Sequence, residues 1–227
     1  MNDEIALTLR RLEVEVLPIL IALGLAGQQP RDVDLIVNSE RLGRTKKYGA
    51  PRPALRPLAP GELARLSDVP NVAVTYYEVA GRDLAAIHKS LARLGARDPR
   101  TRRVLPATSR WTVGVKIHSL TTAGRCTVLG ATLDFRGFAT LPRLVPDKDR
   151  PAAIAALWAA YVARLEARQA EQLRFAYDHL GEVERAVLAT RCDKAEAAAD
   201  SVLAKLEQRQ RLAFAEKDQP RLEQAQK

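Results

Sequence analysis

Apolar and polar residues alternate in the middle of the chain, which is the pattern of half-buried β-strands. The alternating segments are Asn71–Val79, Arg110–Ser119 and Cys126–Gly137. Thr122-Ala123-Gly124 separates the last two segments by a spacing that favours an antiparallel hairpin. Phe138–Leu144 then extends or bends the sheet before Pro146 ends it.

Apolar residues recur at helical spacing in three other segments. The first predicted helix is Arg82–Leu94, and a basic loop, Gly95–Ala107, follows it. A long helical stretch covers Ala152–Thr190, where Gly181 marks the expected break, and Lys194–Phe214 forms the last helix. The pattern therefore predicts an α+β fold in which a small antiparallel sheet packs against two or three helices.

The beginning of the chain is of a different character. Residues 1–26 contain the apolar run Val16–Ala26, which has signal-peptide length and is too short to span a bilayer. Acidic residues in front of it leave two interpretations open: a cleaved signal peptide of a periplasmic or secreted protein, or a buried helix of a cytoplasmic one. Residues 27–69 form a Pro-rich linker or extension, residues 70–220 the predicted domain, and residues 221–227 a tail. No transmembrane anchor is predicted.

Composition supports a packed core and raises the question of an anionic partner. Of the 227 residues 47% are hydrophobic, and the formal net charge is +9. Basic residues cluster mildly at Arg41–Arg56 and Arg93–Arg103. Neither cluster has zinc-finger spacing or the aromatic residues of ribonucleoprotein motifs, so nucleic-acid recognition is not expected. A solvated surface and an anionic surface or partner remain as alternatives.

Few residues offer catalytic chemistry. The three histidines are His88, His118 and His179, and the last could join Glu171, Asp178 and Glu182 in a metal cluster. Alternating charge along a surface helix produces such groupings without any ligand. Nucleophile elbows and phosphate-binding glycine loops are missing from the sequence.

One helical segment carries a resemblance to a known family. Tyr161–Ala176, YVARLEARQAEQLRFA, resembles the helix Y-x-x-x-L-x-x-H-E-x-x-H-x-x-x-A of a bacterial family of secreted zinc-dependent proteases. In that helix two histidines bind zinc and the glutamate acts as general base. Here Arg168, Gln169 and Gln172 occupy those positions, and neither an arginine nor a glutamine can perform these roles.

The resemblance extends over residues 70–220 in the same order. The similar segments are Val74–Gly81, Ser109–Ile117, Gly124–Pro142, Cys192–Leu203 and Ala213–Pro220. The last matches a family ending whose histidine is expected to supply a third zinc ligand, and Gln219 stands in its place.

This resemblance implies a zincin-protease-like fold without catalytic activity and without a zinc cofactor. It also implies a disulfide between Cys126 and Cys192, hence an oxidising compartment; the residues alone leave two buried thiols as the alternative. We expect a peptide or protein partner, with Arg168 favouring an acidic group on it. The alternatives are an active metal-dependent hydrolase that uses Glu171, His179 and Glu182, or a basic polyanion-binding protein.

Overall fold

A three-stranded sheet organises the chain in a computed structural model that describes residues 52–98 and 102–214. The elements in order are a short 3-10 helix Leu66–Asp68, β1 Val72–Val79, α1 Leu84–Leu94, β2 Ala96–Arg97, β3 Val104–Leu105, β4 Thr108–Thr122, β5 Arg125–Leu144, α2 Ala152–Asp178, α3 Leu180–Leu188, a 3-10 helix Cys192–Lys194 and α4 Ala195–Ala213. The apolar run Val16–Ala26, the first part of the Pro-rich segment, Gln219 and the tail lie outside the described residues. All described residues belong to one compact unit.

The strand order β1-β5-β4 confirms the α+β class and makes the sheet a mixed one. β4 and β5 form the expected antiparallel hairpin, with Trp111 opposite Gly137. β1 pairs with the other side of β5 in the parallel direction, which places Val72 opposite the same glycine. The expectation of a wholly antiparallel sheet was therefore wrong for β1, because alternation within a strand carries no information about the direction of its neighbour.

The hairpin between β4 and β5 is longer than the sequence pattern predicts. Its turn consists of Ala123 and Gly124, with φ of 48° and 74°, which is the left-handed geometry that two-residue hairpin loops need. β5 continues as one strand through Phe138–Leu144 to form the centre of the sheet. Pro142 can lie within it because β4 begins opposite Thr140, so Pro142 pairs only with β1.

The helices begin and end close to their expected positions. Asp83 caps α1 by accepting a hydrogen bond from the Ala86 backbone N–H at 2.8 Å. The long helical stretch breaks at His179, two residues before Gly181, which lies inside α3. Arg52 donates to the Tyr177 carbonyl at 2.8 Å at this point, and this satisfies an acceptor of the last turn of α2. The helices of the described residues include none that is long and apolar enough to span a membrane.

Two hydrophobic clusters form the core. The larger one joins α1, β1, the middle of β5 and α2, and it contains Phe135, Trp158 and Tyr161. The smaller one joins the distal part of the hairpin to α3 and α4 through Ile117, Ala131, Val183, Val187, Ala195, Ala199 and Leu203. α2 therefore lies along the sheet, and α3 and α4 cover the end of the hairpin.

The two regions without predicted regular structure are both packed against this core. In the Pro-rich segment, Leu55 and Leu58 pack against the larger cluster, and Tyr177 donates to the Pro53 carbonyl at 3.0 Å. The basic loop Gly95–Ala107 contains the small hairpin β2–β3, in which Arg97 pairs with Val104. Cys126 and Cys192 form a disulfide with a Cα–Cα distance of 6.0 Å, as the family resemblance implies.

Candidate functional site

Arg168, Gln169 and Gln172, the positions that resemble the zinc-binding set, lie in the middle of α2, between the sheet and α4. Gln169 is the most enclosed of them, with 1% of its surface exposed. Its side-chain nitrogen is buried and has no hydrogen-bond partner among the described residues. A buried amide without a partner costs free energy, but a carboxylate at the same place would cost far more because it would lose the solvation of its charge.

Gln172 is joined to β4 and to α4 by hydrogen bonds. The Ser109 hydroxyl donates to its side-chain oxygen at 3.0 Å, which fixes that side chain against the first residues of β4. Gln210 of α4 donates from Nε2 to the Gln172 carbonyl at 2.7 Å. The Trp111 indole donates in turn to Gln210 Oε1 at 2.8 Å. Four side chains from three elements thus form one network, and we call Ser109, Trp111, Gln172 and Gln210 the polar network.

Arg168 lies beside the end of α4. The centre of its guanidinium is 5.9 Å from the centroid of the Phe214 ring, a cation–π distance. Phe214 also contacts Phe175, one turn further along the α2 face, with ring centroids 5.9 Å apart and nearly perpendicular. The position that resembles the first zinc ligand is therefore packed against an aromatic side chain.

These groups are unsuited to the chemistry that the resembling family performs. The guanidinium stays protonated, and the two amides neither ionise nor accept a proton near neutral pH. No group of three or more His, Cys, Asp or Glu side chains is placed to hold a metal ion in residues 52–98 and 102–214. What the arrangement does offer is neutral hydrogen bonding that holds β4, α2 and α4 together.

The alternative metal cluster is spread over two helices and engaged in other contacts. Glu171 is exposed on α2. His179 donates from Nδ1 to the Phe175 carbonyl at 2.7 Å. Glu182 of α3 accepts from Arg209 at 2.6 Å, and this hydrogen bond lowers the pKa of the carboxyl below its usual value. The ion pair between α3 and α4 gives Glu182 a structural role.

An open pocket with a volume of about 290 Å³ lies elsewhere, at the ends of β1 and β5. Arg82 bridges Asp147 and Asp149 at 2.9 and 3.0 Å on its wall. Arg150 donates to the carbonyls of Gly81 and Val145. The backbone N–H of Asp149 and the Arg82 guanidinium hold the pKa of Asp147 below its usual value. The pocket wall thus contains an ion-pair cluster of Arg82, Asp147 and Asp149, with Arg150 bonded to backbone carbonyls beside it.

Sequence reasoning identified the α2 positions but missed their partners. Gln210 is part of the polar network, yet in the sequence it is one polar residue of a charged helix. Trp111 was recognised as a strand residue, and nothing in the strand pattern indicates that its indole N–H reaches another helix. A hydrogen-bond partner that is far away in the sequence leaves no trace in the local pattern of residues.

Comparison with known proteins gives a family and no activity. A model of a bacterial protein family matches residues 74–219, a range that includes most of β1, the hairpin, α2 and both cysteines. Searches of curated proteins and of solved structures found no match. The matching description names no enzyme, so the zinc-protease resemblance stays a prediction. Since the match covers well over half of the chain, this protein belongs to the family described as bacterial protein of unknown function (DUF922).

Proposed function

We propose that this protein is a catalytically inactive, zinc-protease-like domain of the bacterial envelope or exterior that binds an extended peptide segment of a partner. The observation that carries the first part is the state of the α2 positions. Gln169 is buried and Gln172 is bonded to Ser109 and Gln210, so these residues act as packing elements. The disulfide is compatible with a location outside the cytoplasm.

The binding surface we propose is the outer edge of β4. This strand lies at the end of the order β1-β5-β4, and no strand among the described residues pairs with its outer side. Backbone N–H and C=O groups of alternate residues along such an edge are available to a peptide that adds as a further strand. The register between β4 and β5 shifts at His118/Ser119, so the regular part of the edge is Thr108–His118.

The polar network gives this edge a rigid support. Ser109 and Trp111 belong to the regular part of β4, and their side chains are held by α2 and α4. A strand that is fixed in advance loses less conformational entropy when a peptide adds to it. Arg168, which the sequence suggested as the contact for an acidic group, packs against Phe214 and is assigned no peptide contact in this proposal.

The absence of catalysis is tested by metal analysis of the purified chain with and without added zinc, using native mass spectrometry. We expect no retained zinc in the natural chain. The matched control restores the family residues in the combination Arg168→His, Gln169→Glu, Gln172→His and Gln219→His, and it is expected to retain one zinc ion. One tightly held zinc in the natural chain would overturn the proposal. A restored chain that folds but retains no zinc would show that α2 is not a former metal-binding helix.

Peptide binding is tested by selection from a phage-displayed random peptide library, followed by NMR of the isotope-labelled protein with a selected peptide. We expect shifted amide signals in Thr108–His118, with new protection from hydrogen exchange at alternate residues. Selection of no peptide, or shifts confined to residues outside β4, would contradict the edge-strand proposal.

A further inference from the structure

The last turn of α1 and the hairpin β2–β3 form one strongly basic corner of the molecule. Within the described part of residues 89–103 the only acidic side chain is Asp98. The basic side chains there, which we call the basic corner, are Lys89, Arg93, Arg97, Arg102 and Arg103. All five of these residues are exposed to solvent.

Close packing brings these residues to the same place. Gly95 directly follows α1, and its backbone lies so near β3 that a Cβ would be 2.7 Å from the Leu105 carbonyl oxygen and from Val104 Cγ1. The Gly95 N–H also donates to the Leu91 carbonyl at 2.9 Å, which ends α1 directly against the hairpin. The last turn of α1, with Arg93, therefore lies against the hairpin that carries Arg97, Arg102 and Arg103.

The turn of the small hairpin holds the backbone of Arg102 in an unusual conformation. Its φ is 60°, in the left-handed region that glycine and asparagine adopt more easily than arginine. The turn is closed by bonds between the Arg102 N–H and the Asp98 carbonyl and between the Asp98 N–H and the Arg103 carbonyl, each 2.9 Å. A conformational cost that a glycine would remove is retained at a position that carries a positive charge.

One apolar side chain lies within the basic corner. Leu94 is 43% exposed. It lies between Arg93 and Gly95, the residue that packs against β3. Residues 82–105 contain no Phe, Tyr or Trp, so the corner lacks the stacking surfaces that single-stranded nucleic acids need. Basic side chains around an exposed leucine suit the surface of an anionic lipid bilayer, where phosphate headgroups lie next to the acyl region.

We propose that the basic corner docks the protein onto membranes that carry anionic phospholipids. The arginines and Lys89 contact the headgroup phosphates, and Leu94 contacts the acyl boundary. Binding of this kind is peripheral, weakens as salt is added and does not depend on peptide binding at β4.

The test is co-sedimentation of the full chain with vesicles of phosphatidylcholine alone or of phosphatidylcholine mixed with phosphatidylglycerol. The natural chain is expected to bind the mixed vesicles and not the neutral ones. The variant Arg93→Gln/Arg97→Gln/Arg102→Gly should lose about 100-fold in affinity, because each basic residue near the surface contributes about fivefold. Arg102→Gly suits the local backbone, so the fold should be retained, and thermal unfolding checks this.

The matched control removes the same charge elsewhere, with Arg125→Gln, Arg191→Gln and Arg211→Gln, and is expected to bind almost as tightly as the natural chain. Equal losses in both triple variants would assign the binding to overall charge and overturn the proposal. So would failure of the natural chain to bind the mixed vesicles. If the corner variant lost binding to a single-stranded oligonucleotide and kept binding to vesicles, the partner class would be wrong. The variant Leu94→Ser should also weaken vesicle binding, and unchanged binding would show that Leu94 does not contact the acyl boundary.

Discussion

The indole nitrogen of Trp111 in β4 donates to Oε1 of Gln210 in α4 at 2.8 Å, although the two residues are 99 positions apart in the chain. The side-chain nitrogen of Gln210 also donates a hydrogen bond to the Gln172 carbonyl of α2. The sheet and the last helix are therefore linked directly, and Gln210 joins both of them to α2.

This relationship gives the first prediction. Trp111→Phe keeps a large aromatic side chain and removes the donor, so the partly buried oxygen of Gln210 loses its partner. We expect the free energy of unfolding to fall by about 1–3 kcal/mol in urea titration. Gln208→Ala, an exposed glutamine of the same helix, is the control and should change it by less than about 0.5 kcal/mol. In a double-mutant cycle, Trp111→Phe and Gln210→Leu should be less than additive; additive losses would mean that the bond does not contribute.

The second prediction concerns the buried amide of α2. Gln169→Glu places a carboxylate where 1% of the side chain is exposed, and desolvation raises its pKa in the folded state. At pH 7 the variant should be about 3 kcal/mol less stable, which corresponds to a rise of roughly two pKa units. A raised folded pKa costs stability above the unfolded value, so the deficit should shrink as pH falls towards about 4.

Gln208→Glu provides the control for this substitution, because it adds the same charge at an exposed position of α4. Denaturant titrations at pH 7 and pH 4 compare the two variants. A Gln169→Glu protein as stable as the natural one at pH 7 would mean that this side of α2 is open to water.

The third prediction uses two glycines of the sheet. A Cβ at Gly137 would lie 2.9 Å from Val72 Cγ2 and 3.2 Å from Leu173 Cδ1, between β1 and α2. Gly137→Ala should therefore separate α2 from the sheet and cost about 1–3 kcal/mol. At Gly114 the nearest atom outside the neighbouring residues is 3.6 Å away, so Gly114→Ala should be neutral or stabilise by about 0.5 kcal/mol. Thermal unfolding measures both, and equal effects would contradict the close packing of α2.

The fourth prediction concerns the disulfide. Its cysteines are 66 positions apart, and opening a loop of that length costs roughly 4 kcal/mol in the chain-entropy model. Reduction, or the variant Cys126→Ser/Cys192→Ser, should lower the urea midpoint accordingly. The double variant is also the control for other effects of the reductant, because the reductant should leave its urea midpoint unchanged. An unchanged midpoint after verified reduction would show that the bridge adds no stability.

The fifth prediction is a pH dependence at Glu62. Arg56 donates to Oε2 at 2.9 Å and also to Oε1, and the pKa of the carboxyl is lowered to about 2, chiefly by this hydrogen bond. A depressed folded pKa contributes stability above the unfolded value, and this contribution is lost as pH falls from about 4.5 to about 2. The Glu62→Gln variant should thus have a lower melting temperature than the natural chain at pH 7, and the difference in melting temperature should disappear near pH 2. Glu171→Gln is the control for loss of an exposed carboxylate.

The sequence predicted those parts of the fold that local patterns determine. Alternation located β1, β4 and β5, and the small residues Ala123 and Gly124 located the turn between the last two strands. The direction of β1 could not be obtained in this way, because a parallel partner and an antiparallel one require the same alternation within the strand. Pro142 in the central strand becomes understandable only once the start of β4 opposite Thr140 is known.

The environment of the α2 positions could not be predicted from the sequence. The resemblance of α2 to a zinc-binding helix singled out Arg168, Gln169 and Gln172, and their replacement of a metal-binding set stays a prediction. The burial of Gln169 depends on how the sheet and α4 lie against α2, and the bonds of Gln172 come from Ser109 and Gln210. Such long-range contacts are a property of the packed structure and have no counterpart in local periodicity.

The division of the core into two clusters has a consequence for local unfolding. The cluster beneath α3 and α4 consists mainly of alanine and valine, such as Ala131, Val183 and Ala199, whereas the larger cluster contains bulkier side chains such as Trp158, which bury more apolar surface. Amide protons of α4 should therefore exchange with solvent through partial opening at a lower free energy than those of α2. Because the disulfide at Cys192 anchors the start of α4 to the hairpin, oxidation sets how often α4 lifts off and exposes the middle of α2.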